Sequence, residues 1–383
     1  MKRVLAVTGI RSEYFLLRST FQAIQAHPEL ELGLVVTGAH LSPAHGLTVR
    51  DIEADGLPIW DRVESLLASD RDSARIKGAA SQLQVLSHLV DRYRPDWLLA
   101  PTDREEAMMV ALCGAYMNIP IAHYSAGDRV VGNVDDSVRH AISRLSHLLL
   151  TTSEDSRQRL IRSGEQAWRV HNVGHGGLDR IRTTPALTLA ELATALAVPA
   201  IAKPFVVVIQ HPITSEIGAA GEQMRETLAA VAAMGCQAFV SCPNSDAGSR
   251  EMLEAIEAFS DRPGIHSFRN IPDIPFINLL NQAEMLIGNS SLGVLEAPFL
   301  HLPVINVGNR QGGRHHSENI FFVAHDREQI VAQAQKIRQD PATRSRIAQC
   351  GNPFGDGHTG AKVAELLART AIDSRLLNKD LTY

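Results

Sequence analysis

Short apolar runs alternate with longer segments of helical apolar spacing along most of this chain. In the first half, apolar runs rich in β-branched residues predict strands at Val4–Thr8, Leu32–Thr37, Trp97–Ala100, Pro120–His123, His147–Thr151 and Arg169–Val173. The segments between them predict helices near 15–26, 72–93, 105–117, 137–146 and 154–163. Such alternation is typical of βαβ units, in which a parallel sheet is covered by helices.

The pattern pauses over residues 176–203, which hold no strand-like run and include a helical connector flanked by prolines. A second series of strands is then predicted at Phe205–Gln210, Gln237–Ser241, Ile265–Phe268, Met285–Gly288 and Val304–Val307. The chain of 383 residues also exceeds the length at which one core usually divides.

We therefore predict an α/β protein of two doubly wound, Rossmann-like domains. The N-terminal domain is placed at 1–182 and the C-terminal domain at 183–360. Residues 361–383 are expected to form a C-terminal helix that packs back across the domains, because Val363, Leu366 and Leu367 have helical spacing.

Composition narrows the possible partners. With a net charge of -5 and a pI near 6.3, the protein has no overall positive potential that would attract nucleic acid or an anionic membrane. Any bound anion therefore needs a local cluster of basic or hydrogen-bond-donating groups. The four cysteines form no C-x-x-C pair, which makes a disulfide framework or a zinc site improbable. The apolar run at Val4–Val7 is too short for a signal peptide, and no segment approaches the ~20 apolar residues of a membrane span. A cytoplasmic protein is expected.

In open α/β sheets, ligands bind beyond the carboxyl ends of the strands, and a cleft between two such domains is the natural shared site. Arg11 follows the first strand, where a guanidinium can bind a phosphate or carboxylate through two hydrogen bonds. The sequence "DREEA" follows the strand at 97–100. Acidic residues are common in a first helical turn, which accounts for Glu105 and Glu106 better than for Asp103.

The strand at 120–123 leads into a loop and helix that carry Asp128, Asp135 and Asp136, followed by Arg139 and His140. Asp135 or Asp136 could simply cap that helix. Even so, several carboxylates from different strand ends approach one cleft. Such groups are suited to proton transfer beside a carbohydrate carbon.

The second half contains a candidate diphosphate site. In "GNSSLGVLEAP", Asn289-Ser290-Ser291 is predicted to begin a helix whose free N–H groups and dipole favour an anion, although Ser290 and Ser291 could also be ordinary N-caps. Glu296, predicted a turn and a half into that helix, could bind ribose hydroxyls. His211 follows another strand, and Arg310 and Arg314 lie in a glycine-rich loop. The sequence has no G-x-x-x-x-G-K-[ST] motif, and its first strand lacks G-x-G-x-x-G, which disfavours P-loop and classical NAD-binding functions.

These residues resemble the hydrolysing UDP-N-acetylglucosamine 2-epimerases of the sialic-acid and legionaminic-acid pathways. The matching stretches run in family order from residue 4 to about 320: "VTGIRSEYFLL", "VVTGAHLSPAHG", "DREEA", "GNVDDSVRHAISRLSHLLLTTSE", "IQHPIT" and "GNSSLGVLEAPFLHLPVINVGNRQGGR". The resemblance implies a glycosyltransferase-B-like fold, a nucleotide-sugar substrate, no metal or redox cofactor, and a homo-oligomer, either a dimer or a tetramer.

The resemblance also implies roles for individual residues. Arg11 and His211 are expected to contact phosphate, and Ser290, Ser291, Glu296 and Arg310 to form the diphosphate and ribose site. The residues expected around the sugar ring are His40, Asp103, Arg104 and Asp135. In the implied reaction, a proton leaves C2, UDP is eliminated to give a 2-acetamidoglucal, and water adds to release the sugar with inverted C2.

Three positions depart from the family pattern. Leu16 replaces a lysine that some relatives carry, Thr102 replaces a glycine, and Ser125 replaces a glutamate, with Asp128 as the nearest acid. We expect Asp103 and Asp135 to be the proton-transfer pair, without assigning the acid and the base.

Other functions stay open at this stage. The substrate could be UDP-linked 2,4-diacetamido-trideoxyglucose or a GDP-linked sugar. The chain could also be a glycosyltransferase, although its acid-rich first-half loops leave little room for an acceptor. Ser125 is the feature that favours a non-catalytic nucleotide-sugar binder.

Overall fold

The computed structural model describes residues 1–69, 71–129, 134–243 and 247–382 of an α/β chain. Its strands are β1 Lys2–Thr8, β2 Leu30–Thr37, β3 Ile59–Val63, β4 Trp97–Ala100, β5 Ile121–Tyr124, β6 Leu148–Thr151, β7 Val170–Asn172, β8 Phe205–Ile209, β9 Gln237–Ser241, β10 Ile265–Phe268, β11 Met285–Gly288, β12 Val304–Val307 and β13 Ile320–Val323. The chain divides into two compact units, Met1–Arg182 with Phe354–Tyr383 and Thr183–Pro353.

The helices flank the two sheets. They are α1 Arg11–Ala26, α2 Val49–Ala54, α3 Asp72–Tyr93, α4 Glu105–Met117, α5 Val134–Leu145, α6 Glu154–Arg162, α7 Gly176–Thr183, α8 Leu189–Ala195, α9 Ala220–Ala233, α10 Ser249–Glu257, α11 Asp273–Gln282, α12 Leu292–Leu295, α13 Arg327–Gln339, α14 Pro341–Gln349, α15 Thr359–Arg369 and α16 Ser374–Leu377. Among the described residues, none of these helices combines the length and apolar character that crossing a bilayer requires.

The N-terminal unit (residues 1–182 and 354–383) contains a parallel sheet with the order β3-β2-β1-β4-β5-β6-β7. The chain moves outward from β1 to β3 and then returns to place β4 on the other side of β1. The switch point therefore lies between the carboxyl ends of β1 and β4, where a doubly wound sheet opens a crevice. On one face, Tyr14 and Phe21 of α1 pack in the same core as Val363 and Leu367 of α15.

The C-terminal unit (residues 183–353) repeats this arrangement with the order β10-β9-β8-β11-β12-β13. Its switch point lies between β8 and β11. The central strands are buried on both faces: in β8 the consecutive residues Val206, Val207 and Val208 are all buried, and neighbours along a strand point to opposite faces. Continuous apolar runs of this kind are expected where helices cover both faces of a parallel sheet.

The apolar pattern does not predict β3 or β13, and both are edge strands. In β3, the polar Asp61 and Arg62 interrupt the run, and in β13 Phe322 is 42% exposed. An edge strand is covered on fewer sides than a central one, so its sequence carries a weaker apolar signal.

A buried arginine fixes the C-terminal segment to the N-terminal unit. Arg169 is fully buried, and its guanidinium donates hydrogen bonds to the carbonyls of His147, Arg375, Leu376 and Asn378 at 2.7–3.1 Å. The guanidinium thus supplies donors that satisfy the carbonyl groups of α16 and the residue after it.

Replacing Arg169 with Met is expected to lower the free energy of unfolding by about 2 kcal/mol, because the charge-assisted hydrogen bonds are lost. The carbonyl groups of the detached segment can accept hydrogen bonds from water instead, which limits the loss of stability. Denaturant unfolding and amide exchange of residues 374–382 measure the effect. Arg375→Met, at an exposed neighbour that stacks on Trp168, is the matched control. Unchanged exchange in Arg169→Met would contradict the anchoring role.

Candidate functional site

Arg11 is the first residue of α1, just after the turn at the carboxyl end of β1. Its Nε is 3.6 Å from the Asp51 carboxylate, and its guanidinium is 5.3 Å from the centre of the Phe15 ring. The side chain is 55% exposed. The structure thus places Arg11 at the surface of the switch point, where the sequence analysis expected it.

Asp103 and Asp128 are connected by an arginine of α5. Arg139 donates a hydrogen bond from Nη2 to the Asp103 carboxylate, and Nη1 of the same guanidinium lies 4.0 Å from the Asp128 carboxylate. Only 8% of the Arg139 side chain is exposed, so this ion-pair network is largely removed from water. The sequence analysis noted Arg139 without assigning it a role. Its buried position between two predicted site residues indicates that it orients them.

Asp128 is held by fixed hydrogen bonds. Its Oδ1 accepts hydrogen bonds from the hydroxyls of Thr152 and Ser156, both at 2.7 Å. Burial raises the pKa of Asp128, while Arg139 and the two hydroxyls oppose the rise. Ser125 begins the turn that leads to Asp128 and has a left-handed φ of 59°. Residues 130–133, the rest of the predicted loop, lie outside the described residues.

Asp135 and Arg104 line a cavity of about 480 Å³ in the N-terminal unit. The charged residues of its lining are Arg71, Arg75, Arg104, Glu105, Glu106 and Asp135. Arg75 donates a hydrogen bond to Glu105 at 2.7 Å, and the nearby Asp135 helps to raise the pKa of Arg75 after the larger effect of Glu105. Two predicted site residues thus share one polar cavity. Asp135 lies in the first turn of α5, which is also a normal place for a helix-stabilising acid.

His40 lies below the surface. It is fully buried, with Nε2 3.1 Å from the Thr8 hydroxyl and Nδ1 2.8 Å from the Thr48 hydroxyl. Burial lowers its pKa to about 4, so the ring is neutral at physiological pH. Both ring nitrogens lie within hydrogen-bond distance of hydroxyls of its own unit, and the expected place of His40 beside the sugar stays a prediction.

Two glutamates missed by the sequence analysis, Glu13 and Glu106, lie at this switch point. They are 3% and 4% exposed. Glu13 accepts a hydrogen bond from the Gly9 N–H at 3.1 Å, and Glu106 accepts one from Arg104 Nε at 3.1 Å. The sequence analysis treated Glu106 as an ordinary first-turn acid. Only tertiary packing reveals that Glu106 is buried beside the end of β1.

In the C-terminal unit, Asn289 connects the two strand ends at the switch point. Its side-chain oxygen accepts a hydrogen bond from the His211 N–H at 2.8 Å, and its amide donates to the His211 carbonyl at 2.9 Å. Gly288, just before it, has a φ of 132°, and a Cβ there would lie 2.1 Å from the Ile209 carbonyl oxygen. The close approach requires glycine, and it brings His211 beside the Asn289–Ser291 turn.

The helix after this turn is shorter than the sequence analysis expected. α12 has four residues, with Ser291 as its N-cap position and the Ser290 hydroxyl 3.4 Å from the Leu292 N–H. Glu296 is buried at the end of α12 and not inside a longer helix. The reason is Pro298, which disfavours the α conformation at the residue before it, and a 3₁₀ segment, Ala297–Leu300, follows α12. The anion-binding contribution of a long helix dipole is therefore removed, and the hydroxyls and turn amides are left as the donors.

Arg310 reaches the same turn from the end of β12. Its Nη1 donates a hydrogen bond to the Asn289 carbonyl at 3.3 Å, and the buried Gln311 donates another at 2.9 Å. Arg314 lies in the same loop and is partly exposed. Because β8, β11 and β12 are neighbours in the sheet, His211, Ser290 and Arg310 come from three adjacent strand ends.

A family model described as UDP-N-acetylglucosamine 2-epimerase matches residues 22–368. A UDP-N,N'-diacetylbacillosamine 2-epimerase (hydrolyzing) of Legionella pneumophila is 31% identical over 383 residues, which cover all of both chains. A GDP/UDP-N,N'-diacetylbacillosamine 2-epimerase (hydrolyzing) of Campylobacter jejuni is 30% identical over 323 residues, 84% of each chain.

The fold is also similar to a crystal structure of UDP-GlcNAc 2-epimerase from Neisseria meningitidis bound to UDP-GlcNAc. The TM-score is 0.76 at 17% identity, with 96% of this chain and 100% of that chain covered. At this identity the similarity concerns the fold.

Proposed function

Because the chain belongs to the UDP-N-acetylglucosamine 2-epimerase family, we propose that it is a hydrolysing 2-epimerase that converts a UDP-linked 2-acetamido sugar into UDP and the free sugar with inverted C2. The observation that carries the proposal is the full-length similarity to the Legionella pneumophila enzyme, whose name includes hydrolysis. The product suits the biosynthesis of nonulosonic acids and surface polysaccharides. A cytoplasmic location and a homo-oligomeric state are parts of the same proposal.

UDP-GlcNAc is the first candidate substrate, with ManNAc as the free product. UDP-linked 2,4-diacetamido-trideoxyglucose is the second candidate, and the name of the Legionella pneumophila relative favours it. The Campylobacter jejuni relative, named for GDP and UDP forms, supports including a GDP-linked sugar in the test.

The reaction needs proton transfer at C2 and stabilisation of the departing diphosphate. In the first step a base takes the C2 proton, a C1–C2 double bond forms, and the C1–O bond to UDP breaks. In the second step water supplies a hydroxyl to C1 and a proton returns to the opposite face of C2. UDP-GlcNAc and water thus become UDP and ManNAc.

We assign the proton transfers to Asp103 and Asp135 of the N-terminal unit. The ion pair with Arg139 fixes the direction of the Asp103 carboxylate, and Asp135 lines the polar cavity together with Arg104. Asp128, whose Oδ1 is occupied by two hydroxyls, is better suited to holding Arg139 than to exchanging protons. A base of this kind typically contributes about 10²–10⁴-fold to a rate.

We assign UDP to the C-terminal unit. Among the described residues, the backbone N–H groups of Ser290 and Ser291 have no hydrogen-bond acceptor, so they can bind a phosphate oxygen. The guanidinium of Arg310 lies against the same turn, and His211 adjoins it. Donors and a guanidinium directed at the developing negative charge stabilise the leaving diphosphate. Arg11 and Arg314 are proposed to complete the phosphate contacts, and Glu296 to bind the ribose.

Acceptor-free release of UDP tests this function. Purified enzyme is incubated with UDP-GlcNAc, its diacetamido relative and GDP-GlcNAc in D₂O, and the nucleotide, the reducing sugar and deuterium at C2 are measured. We expect free UDP and a C2-inverted, C2-deuterated sugar from at least one substrate. UDP release only after an acceptor sugar is added would instead identify a glycosyltransferase. Binding of all three nucleotide sugars without turnover would identify a non-catalytic nucleotide-sugar binder.

A further inference from the structure

Two buried carboxyl groups flank Gly9 at the switch point of the N-terminal unit. Glu13 Oε1 accepts a hydrogen bond from the Gly9 N–H at 3.1 Å. On the other side, a Cβ added to Gly9 would lie 2.6 Å from Glu106 Oε1, so the Glu106 carboxyl lies directly against this glycine. The same oxygen lies 3.0 Å from the Cβ position of Gly38, at the end of β2.

Glu13 also connects two strand ends that carry predicted site residues. Its Oε2 lies 3.3 Å from the Thr102 hydroxyl, in the residue before Asp103. The Thr102 carbonyl in turn lies 2.6 Å from Nε2 of the buried His123 of β5.

We propose that Glu13 is a positioning residue of the proposed reaction. The buried Glu13 carboxyl ties the turn after β1 to the loop that carries Asp103, because it contacts both the Gly9 N–H and the Thr102 hydroxyl. This inference rests on the proposed function for its kinetic consequences. Glu13 itself touches no reacting atom in this assignment.

The surroundings of Glu13 favour a protonated carboxyl. Burial and the neighbouring Glu106 raise the pKa of Glu13 to about 8, against smaller opposing effects of Gly9, Arg104 and Thr102. Arg104 compensates the negative charge of Glu106 directly. The other ionisable groups nearby do not pair with Glu13. Arg11 pairs with Asp51, Asp103 pairs with Arg139, and His40 is neutral.

Loss of this proton should loosen the switch point. Above pH 8, two ionised carboxylates with little access to water repel each other across Gly9, and the turn and the loop move apart. The catalytic rate should therefore fall with an apparent pKa of about 8, while UDP affinity, which depends on the other unit, changes little. Misplacing a catalytic group by about 1 Å can cost ~10²-fold in rate.

The proton also makes stability depend on pH. The folded chain keeps the Glu13 proton up to about pH 8, whereas the unfolded chain releases it near the ordinary value of 4.5. The stability contributed by this proton is complete below pH 4.5 and is lost as the pH rises to 8. Glutamine resembles the protonated acid and does not titrate, so Glu13→Gln should melt at higher temperature than wild type, by a margin that grows from pH 5 to 8.

Four variants test the assignment. Glu13→Ala should lower kcat at pH 7 about 30-fold. Glu13→Gln should recover kcat to within about threefold of wild type and abolish the alkaline fall near pH 8. Thr102→Val should move that fall to higher pH, because the lost hydroxyl favoured the charged form, and Glu106→Gln should move it to lower pH or remove it. Glu31→Gln, an exposed glutamate at the opposite end of the sheet, is the matched control and should match wild type.

Two results would overturn the proposal. An alkaline fall that persists unchanged in Glu13→Gln would show that another group titrates, and full activity of Glu13→Ala would exclude a positioning role. The melting comparison, together with carboxyl ¹³C NMR of Glu13 across pH 5–9, needs no substrate. A Glu13 resonance that titrates near pH 8 in a protein without UDP-releasing activity would uphold the retained Glu13 proton and refute the proposed function, whereas titration near 4.5 would refute the retained proton alone.

Discussion

Replacing Asp103 with Asn is expected to lower kcat for UDP release about 1,000-fold and to leave the Kd for UDP within about twofold. Asparagine keeps the size of the side chain and one hydrogen-bond acceptor for Arg139, but it cannot accept the C2 proton. The UDP-binding groups belong to the C-terminal unit, so they should be unaffected. Single-turnover measurement of UDP release, with titration calorimetry of UDP, separates the two effects.

Asp135→Asn should behave in the same way, because Asp135 lines the polar cavity beside Arg104. Asp136→Asn is the matched control: it is the next residue in the first turn of α5, lies outside the cavity lining, and faces His140 at 3.9 Å. We expect the control to retain kcat within about threefold. Equal loss of UDP affinity in Asp103→Asn and Asp135→Asn would contradict the division of roles between the two units.

The sequence could predict the sheets because their central strands are buried on both faces. Runs such as Val4–Val7 and Phe205–Ile209 are apolar throughout, and their ends give the positions of the switch-point loops. Parallel strands place all their carboxyl ends at one edge, so Arg11 and Asp103 could be assigned to one crevice without knowing any contact.

The sequence could not predict which polar residues are buried. Glu106 and Glu105 are adjacent first-turn acids of α4, yet Glu106 packs against Gly9 whereas Glu105 pairs with Arg75 at the cavity. Likewise, the sequence analysis expected His40 near the sugar, and only the fold shows that its ring lies between the hydroxyls of Thr8 and Thr48. Neighbours supplied by distant segments decide these environments, and a one-dimensional pattern does not contain them.

The structure shows what surrounds Ser125 and Thr102, two residues that the sequence analysis noted as departures from the expected family pattern. Ser125 begins a left-handed turn, and the following acid, Asp128, is bound by hydroxyls of Thr152 and Ser156. Thr102 contributes the hydroxyl that faces Glu13. Both substitutions therefore lie in the network that supports Asp103, directly or through Arg139.

Replacing Arg310 with Ala is expected to raise the Kd for UDP about 100-fold, equivalent to about 2.7 kcal/mol. Its guanidinium lies against the Asn289 carbonyl, at the turn whose Ser290 and Ser291 amides lack acceptors among the described residues, so it can meet the same diphosphate. Ser290→Ala removes only one neutral hydroxyl and should raise the Kd about fivefold. Calorimetry with UDP, and with uridine as a ligand lacking phosphate, measures both effects.

Comparison of UDP with uridine makes this prediction specific to the phosphates. Arg310→Ala should change the affinity for uridine by less than about twofold, since the guanidinium is assigned to the diphosphate and not to the nucleoside. Arg262→Ala is the matched control: this exposed arginine of the same unit stacks on Phe259, and its loss should leave the Kd for UDP unchanged. If Arg310→Ala weakened uridine and UDP equally, the guanidinium would be supporting the fold of the loop, and the diphosphate would have to be bound by other donors of the C-terminal unit.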